Sequence, residues 1–318
     1  MGQLVNGKWE GRFFEVDSEN GRFIRQDSVF RNWIRVDGST RFQPDYGRYH
    51  LYVAHACPWA HRTLIFRKLK GLEGAISVSY VQPHMGNLGW SFNDDDLTSD
   101  TLHRKKFLYE IYTLARPDYT GRVTVPTLWD KHLDTIVSNE SADIIRMLNT
   151  EFEDFSTNHT DYYPVTLRRE IDEINDLVYE NVNNGVYRTG FATTQEAYGE
   201  SVLSVFHTLD KLEDMLGKRR YLAGAELTEA DWRLFPTLVR FDPVYHYHFK
   251  CNLKKIADYP NLSNYLRELY QYPGIAETFN LELTKQHYYQ SHENINPTRI
   301  VPLGPEIDLT AAHDRERL

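Results

Sequence analysis

The sequence predicts an α/β domain followed by an all-α domain, and three observations carry that prediction. Strand-period and helix-period segments alternate between residues 47 and 150. Strand signals vanish from Pro164 onward. Beyond that point apolar residues recur at helical spacing until about residue 290. A chain of 318 residues is comfortable for two domains, and each can bury a core.

Residues 1–46 are polar, rich in Arg, Asp and Phe, and weakly periodic; they are expected to form an extended lead-in draped on a neighbour. The segment YHLYVA (49–54) alternates and is rich in strand formers. PWAHRTLIFRKLKG follows, with Ala60, Leu64, Ile65 and Leu69 at helical spacing and Gly71 as a natural stop. ISVSYV (76–81) alternates again. Strand, helix and strand joined by short connections predict a parallel pair. Residues 82–98 make a long loop holding Gly86, Gly89, Asp94, Asp95 and Asp96, and a loop of that length inside a compact domain is usually functional. Residues 101–115 predict a helix through Leu108, Ile111, Tyr112 and Ala115. RVTVPTLWDKHLDTIVS predicts two strands with a tight turn near residues 132–134, and NESADIIRMLN opens another helix. The order β-α-β-α-β-β-α is that of a thioredoxin-like domain, placed here at 47–150. In that fold the proline ahead of the third strand, here Pro126, is cis.

The second domain is expected over 163–290. LRREIDEINDLVYENVNNG puts Leu167, Ile171, Ile174 and Val178 on one face. TTQEAYGESVLSVFHTLDKLEDMLG repeats the device and closes at Gly217. TEADWRLFPTLVRF opens with Thr228 and Asp231 at capping-box spacing. Roughly four to six helices are expected, followed by an irregular tail over 291–318 with Pro297, Pro302 and Pro305. A thioredoxin-like domain followed by an all-helical domain is the architecture of cytosolic glutathione transferases.

Charge and composition exclude several classes. The net charge is −9 with basic residues scattered, apart from the short run 218–220, so no nucleic-acid footprint is expected. No run of eighteen apolar residues is present, so no membrane span is expected. The first twenty residues lack a signal-peptide core, and MGQLVN has Asn6 where a myristoylation signal wants Ser or Thr. Two cysteines far apart make no disulfide scaffold, which points to a reducing, cytoplasmic setting. The 21 Tyr and 16 Phe are enough both to pack cores and to line an aromatic site.

One of the two cysteines carries the chemistry. Cys57 ends a strand, and Pro58 suits the first helical position, so the sulfur is expected at a helix N-terminus. Unpaired N–H groups and the positive end of the helix dipole favour a thiolate there, with His61 and Arg62 one turn along as further positive charge. A dithiol motif would have its second cysteine at position 60, which is Ala60; Cys251 lies in the helical half. A lone thiolate can attack sulfur and form a mixed disulfide, which needs an outside thiol for release. Glutathione is the natural candidate. Val125, next to Pro126, offers backbone groups to its cysteinyl part. Glu140 and Ser141 at a helix start suit the γ-glutamyl carboxylate and ammonium, and they suit plain capping equally. Arg122 and Trp90 offer a carboxylate partner and a flat wall. His50, His55, His61, His246 and His248 fit no zinc frame, so no metal is expected. Gly86 and Gly89 lack a phosphate-cradle pattern, so no nucleotide is implied.

The segments LYVAHACPWAHRTLIFRKLKGLEGAISVSYVQP, GRVTVPTLWDK, IVSNESADIIRMLN, NNGVYRTGFATTQEAY, LTEADWRLFPTLVRFDPVYHYHFKCN and INPTRIVPLGP carry a closer resemblance. From about residue 30 to residue 305 the chain resembles the glutathionyl-hydroquinone reductases, the Xi class of glutathione transferases. The resemblance implies reduction of glutathionyl-hydroquinones, with Cys57 attacking the glutathionyl sulfur and a second glutathione releasing it. It implies that Trp90, Arg122, Val125, Glu140 and Ser141 hold glutathione, that Tyr187 and Tyr288 face the aromatic substrate, and that two chains pair as a homodimer. Tyr289 is an alternative donor. His55 departs from the smaller or apolar residue expected ahead of the cysteine. Two other readings stand beside this one: an omega-like thioltransferase or dehydroascorbate reductase, and a non-catalytic transferase-like scaffold.

Overall fold

The computed structural model describes residues 2–11, 19–94 and 97–318. The parts of the expected lead-in and long loop that fall on residues 12–18, Asp95 and Asp96 lie outside the described residues. Along the chain run β1 (Gln3–Val5), β2 (Lys8–Glu10), β3 (Tyr49–Val53), α1 (Pro58–Leu69), β4 (Ile76–Tyr80), α2 (Leu108–Ala115), β5 (Gly121–Arg122), β6 (Thr127–Asp130), β7 (Thr135–Ser138) and α3 (Ser141–Thr150). These are followed by α4 (Arg168–Val178), α5 (Gly185–Gly190), α6 (Gln195–Leu216), α7 (Glu229–Arg240), α8 (Pro260–Gln271) and α9 (Leu281–Ser291). Two compact units form. The first takes in 26–94, 97–160 and 278–291 together with 2–11; the second takes in 19–25, 161–277 and 292–318. The chain therefore returns to the first unit after its helical stretch, and α9 packs there rather than with the helices that precede it.

In the first unit a four-stranded sheet has the order β4-β3-β6-β7, with β3 and β4 parallel and the other neighbours antiparallel. This is the thioredoxin-like arrangement. β3 is buried at all five positions, flanked by β4 and β6 within the sheet. Gly71 ends α1 at φ +64, and a Cβ there would meet Thr157 Oγ1 at 1.8 Å, so only glycine fits. The Val125–Pro126 peptide is cis.

Two local expectations give way. The helix expected over 101–115 begins only at Leu108. Upstream, the buried Asp100 carboxylate accepts from the N–H groups of Leu102, His103 and Lys105, which winds the backbone into a turn instead. Arg104 then sits at φ +54, a conformation no helix contains. The lead-in is also more ordered than its weak periodicity suggests. β1 and β2 form a hairpin about Asn6 and Gly7, at φ 47 and 75, and β1 pairs with β5. Further on, Phe30 and Asn32 exchange backbone bonds with Asn139 and Val137, so the lead-in runs along the edge of the unit's own sheet.

The second unit is helical. α6 buries Val202, Val205, Phe206, Leu209, Leu212 and Leu216, a stripe of helical period, against α5 and α8. The capping box at Thr228 and Asp231 opens α7. The 292–318 tail is irregular apart from a short turn over Arg315–Arg317. Among the described residues no helix is long and apolar enough to cross a membrane.

Candidate active site

Pro58 fixes φ for the first helical residue and has no N–H to lose, so Cys57 is left in extended backbone as the N-cap of α1, φ −74, ψ 117. Its Sγ accepts from the Ala60 N–H at 3.5 Å and, as a thiol, donates to the Val125 carbonyl at 3.3 Å. The first contact strengthens when the sulfur becomes an anion, and the second is given up. The helix N-terminus thus has a donor ready for the thiolate. Cys57 is half-buried. Cys251, in the second unit, is fully buried, and burial pushes its thiol far above the ordinary range, which disfavours a thiolate there.

α3 supplies a second helix N-terminus. Glu140 caps it, accepting from the Ala142 N–H at 2.9 Å. Arg62, one turn into α1 and 2% exposed, donates from Nε and Nη2 to Ser141 Oγ at 2.9 and 2.7 Å. Its guanidinium also lies 3.7 Å from Glu140 and 4.9 Å from the centre of the Trp59 ring. The sequence suggested Arg62 as positive charge for Cys57; the structure commits it to Ser141 and Glu140. Both Arg62 bonds use oxygen lone pairs of Ser141, so the serine hydroxyl proton is available to a carboxylate ligand. Burial, the largest single influence, pushes the Glu140 carboxyl up. Arg62, the Ala142 N–H, the Ser28 hydroxyl at 3.0 Å and Arg31 together outweigh it and hold the group below its ordinary value. Glu140 is therefore an anion throughout the neutral range.

The segment 278–291 brackets Cys57. Thr278 Oγ1 bonds His61 Nε2 at 2.8 Å, four residues after the cysteine. Thr284, whose hydroxyl bonds back to Asn280, also lies 3.4 Å from the His55 carbonyl, two residues before it. One turn on from Thr284, and so on the same helix face, comes Tyr288, 1% exposed. His287 beside it stacks on Trp90, with ring centres 4.8 Å apart and planes 19° apart. Arg122 is half-buried on β5, three residues before Val125, and Tyr119 donates to its carbonyl. Tyr289 is buried next to Tyr288. Cys57, Trp90, Arg122, Val125, Pro126, Glu140, Ser141 and Tyr288 all belong to the first unit. Tyr187 belongs to the second unit, in α5, where its ring meets Phe249, Tyr245 and Phe191 and the Arg25 guanidinium lies 5.0 Å from its centre.

Comparison with known proteins sharpens this picture. Residues 56–151 match the family described as glutathione S-transferase, N-terminal domain, and residues 195–268 match its C-terminal counterpart. The chain is 54% identical to the glutathionyl-hydroquinone reductase YqjG of Escherichia coli, over 99% of both sequences, and 54% identical to the glutathionyl-hydroquinone reductase PcpF of Sphingobium chlorophenolicum, over 96% of both. The chain belongs to the glutathionyl-hydroquinone reductase family. A solved Xi-class glutathione transferase from Natrialba magadii superposes on this family member with a TM-score of 0.96 at 51% identity, covering 100% of this chain and 98% of the other. The glutathione-bound structure of E. coli YqjG superposes with a TM-score of 0.91 at 53% identity, covering 99% of each.

Within this reductase-family chain, three placements were beyond sequence reasoning. Arg62 serves the α3 N-terminus, a contact 79 residues away in sequence. Ser28 reaches Glu140 from the lead-in, 112 residues away. His287 joins Trp90 to α9. None of these pairs has a spacing signal; only proximity to a singled-out residue could have flagged His287. His55 stacks on Tyr80, with centres 4.2 Å apart and planes 8° apart, so its ring is a packing partner on the strand side of the cysteine. His248 bonds His292 at 3.1 Å. Among the described residues no group of three or more His, Cys, Asp or Glu is arranged to hold a metal.

Proposed function

We propose that this chain reduces glutathionyl-hydroquinones to hydroquinones, with glutathione as co-substrate. The Cys57 thiolate attacks the glutathionyl sulfur, and a sulfur–sulfur bond forms as the sulfur–arene bond breaks. The electron pair of that bond passes to the ring carbon, which takes a proton, and the hydroquinone leaves. Cys57 now holds glutathione as a mixed disulfide. A second glutathione thiolate attacks that disulfide, oxidised glutathione departs, and the Cys57 thiolate returns. The arene has been reduced by two electrons and two glutathiones oxidised.

The observation that carries this reading is Cys57 Sγ at the cap of α1, accepting from the Ala60 N–H, with alanine where a resolving thiol would stand. Such a sulfur is activated but must be released from outside. The glutathione contacts follow from the chemistry of the site. The anionic Glu140 suits the γ-glutamyl ammonium, the Ser141 hydroxyl and the α3 N–H groups suit its carboxylate, Val125 suits the cysteinyl backbone, and Arg122 and Trp90 suit the far carboxylate and flank. Tyr187 and Tyr288, both singled out by the family resemblance, are the phenols proposed to donate to the hydroquinone oxygens. Each such donor is worth on the order of a few kcal/mol of transition-state stabilisation.

The test is mass spectrometry after mixing with chloro- or methyl-glutathionyl-hydroquinone, paired with steady-state rates. Wild type is expected to gain one glutathione on Cys57 and to turn over. Cys57→Ser is expected to do neither. Tyr288→Phe is expected to form the adduct with hydroquinone release slowed by about one to two orders of magnitude. Turnover of small-molecule mixed disulfides with no attack on the arene would favour a thioltransferase, and absence of any Cys57 adduct would leave a scaffold.

A further inference from the structure

We infer that His287 is a positioning residue of this site, holding the Trp90 indole as the wall against which glutathione binds. This rests on the glutathione-site reading above and goes beyond it by naming what fixes the wall. His287 is buried, on the face of α9 that also presents Ser291. Its Nδ1 lies 2.7 Å from the Pro83 carbonyl and 3.3 Å from Ser291 Oγ. A carbonyl only accepts, so Nδ1 carries the proton in this contact and the tautomer is fixed. Ser291 Oγ in turn accepts from the Met85 N–H at 3.0 Å. Two side chains one turn apart thus clasp the backbone at 83 and 85, at the root of the loop that leads to Trp90.

The ring does the second half of the work. It lies flat on the Trp90 indole and meets the Tyr288 ring nearly at right angles, with centres 5.2 Å apart and planes 77° apart. Trp90, itself buried, therefore has an aromatic backing on one face, with glutathione inferred to lie against the indole from the other side. An indole backed in this way cannot rotate away from the site without losing the stack. The N–H bond sets where the imidazole sits, and the imidazole plane sets where the indole sits.

Two substitutions separate ring from tether. His287→Phe keeps an aromatic ring on Trp90 and gives up the N–H. His287→Gln keeps an N–H donor and gives up the ring. Glutathione affinity is measured by calorimetry on wild type and both variants, with melting temperature alongside. The Phe variant is expected within about threefold of wild type and the Gln variant to bind about fivefold to tenfold more weakly. In a Trp90→Ala background the difference between the two is expected to vanish, which a purely structural role would not produce. Should His287→Gln not fold, His287→Leu, ringless and apolar, takes its place. Equal affinities in both variants, or a difference that persists without Trp90, would overturn the inference. The reading of the reaction fails separately: wild type that binds glutathione yet never forms the Cys57 adduct defeats that reading and leaves His287 standing.

Discussion

Arg62 ties the N-termini of α1 and α3 into one framework, since it rises from the first turns of α1 after Cys57, donates to Ser141 and lies 3.7 Å from Glu140 at the start of α3. Arg62→Met keeps the length and the contact with Trp59 but removes every N–H. It is expected to weaken glutathione about tenfold, because Ser141 loses its two donors and Glu140 its nearest cation, while the rate of Cys57 alkylation by iodoacetamide stays within about twofold. A large fall in alkylation rate would mean that Arg62 acts on the sulfur after all. His50 makes a different kind of statement. It is buried on β3, bonded through Nδ1 to Ser77 Oγ at 2.8 Å, and burial pulls it down to about 3 from an ordinary 6.5. A depressed folded value means the native state resists a proton that the unfolded chain accepts. The stability it contributes is therefore complete above about pH 6.5 and is lost as pH falls toward 3. Urea titrations across that window are expected to show a slope that His50→Asn, which keeps a polar partner for Ser77 but does not titrate, largely removes. An identical slope in the variant would assign the acid lability to other groups.

At the scale of elements, what was legible is what local chemistry decides. Pro58 behind Cys57 and Gly71 after Leu69 fix helix ends through backbone preference, Thr228 three residues before Asp231 fixes one through a local capping box, and each stands where the sequence put it. The helix over 101–115 was cut short because Asp100 recruits three backbone N–H groups, a competition that apolar periodicity cannot register. The β1–β2 hairpin carried a readable signal, Asn6–Gly7 between short apolar-polar alternations, which was outweighed by the polar run around it. Asp231 shows how much one cap can hold. Its carboxylate accepts from the Thr228 N–H and hydroxyl at 2.8 and 3.1 Å, from the Leu222 N–H at 2.9 Å and from Tyr265 at 2.6 Å, all inside the second unit. Burial dominates and raises its pKa above the ordinary value, so its stabilising effect is fullest at low pH and declines as pH rises through the raised value. Asp231→Ala strands four donors and is expected to cost about 3–5 kcal/mol at neutral pH, read as a lower denaturant midpoint with an unchanged slope. A loss below about 1 kcal/mol would mean that water enters and serves those donors.

At the scale of the molecule the chain visits its two units more than once, and this was not legible because the pairings that decide it are hundreds of residues apart and carry no spacing. α9 closes the Cys57 side of the first unit after more than a hundred residues spent in the second, and the tail then returns to the second. The expected irregular tail is irregular, yet it ends in an anchor. Arg315 is fully buried, and its guanidinium donates to the carbonyl of Leu216, the last residue of α6, and to those of Arg219 and Arg220 just beyond it, and lies 5.9 Å from the centre of the Tyr265 ring. A planar fork with several donors is what reaches all three carbonyls. Arg315→Ala is expected to lower the stability of the second unit by about 2–4 kcal/mol, a fall in Tm of roughly 5–15 °C. Arg315→Lys, a single point charge on a flexible stem, is expected to recover less than half of that. Because the first unit draws none of its segments from the tail, Cys57 alkylation in both variants is expected to match wild type below the transition. Unchanged melting in the alanine variant would make the tail a passenger, and an altered Cys57 rate would mean that the reactive sulfur depends on a segment outside its own unit.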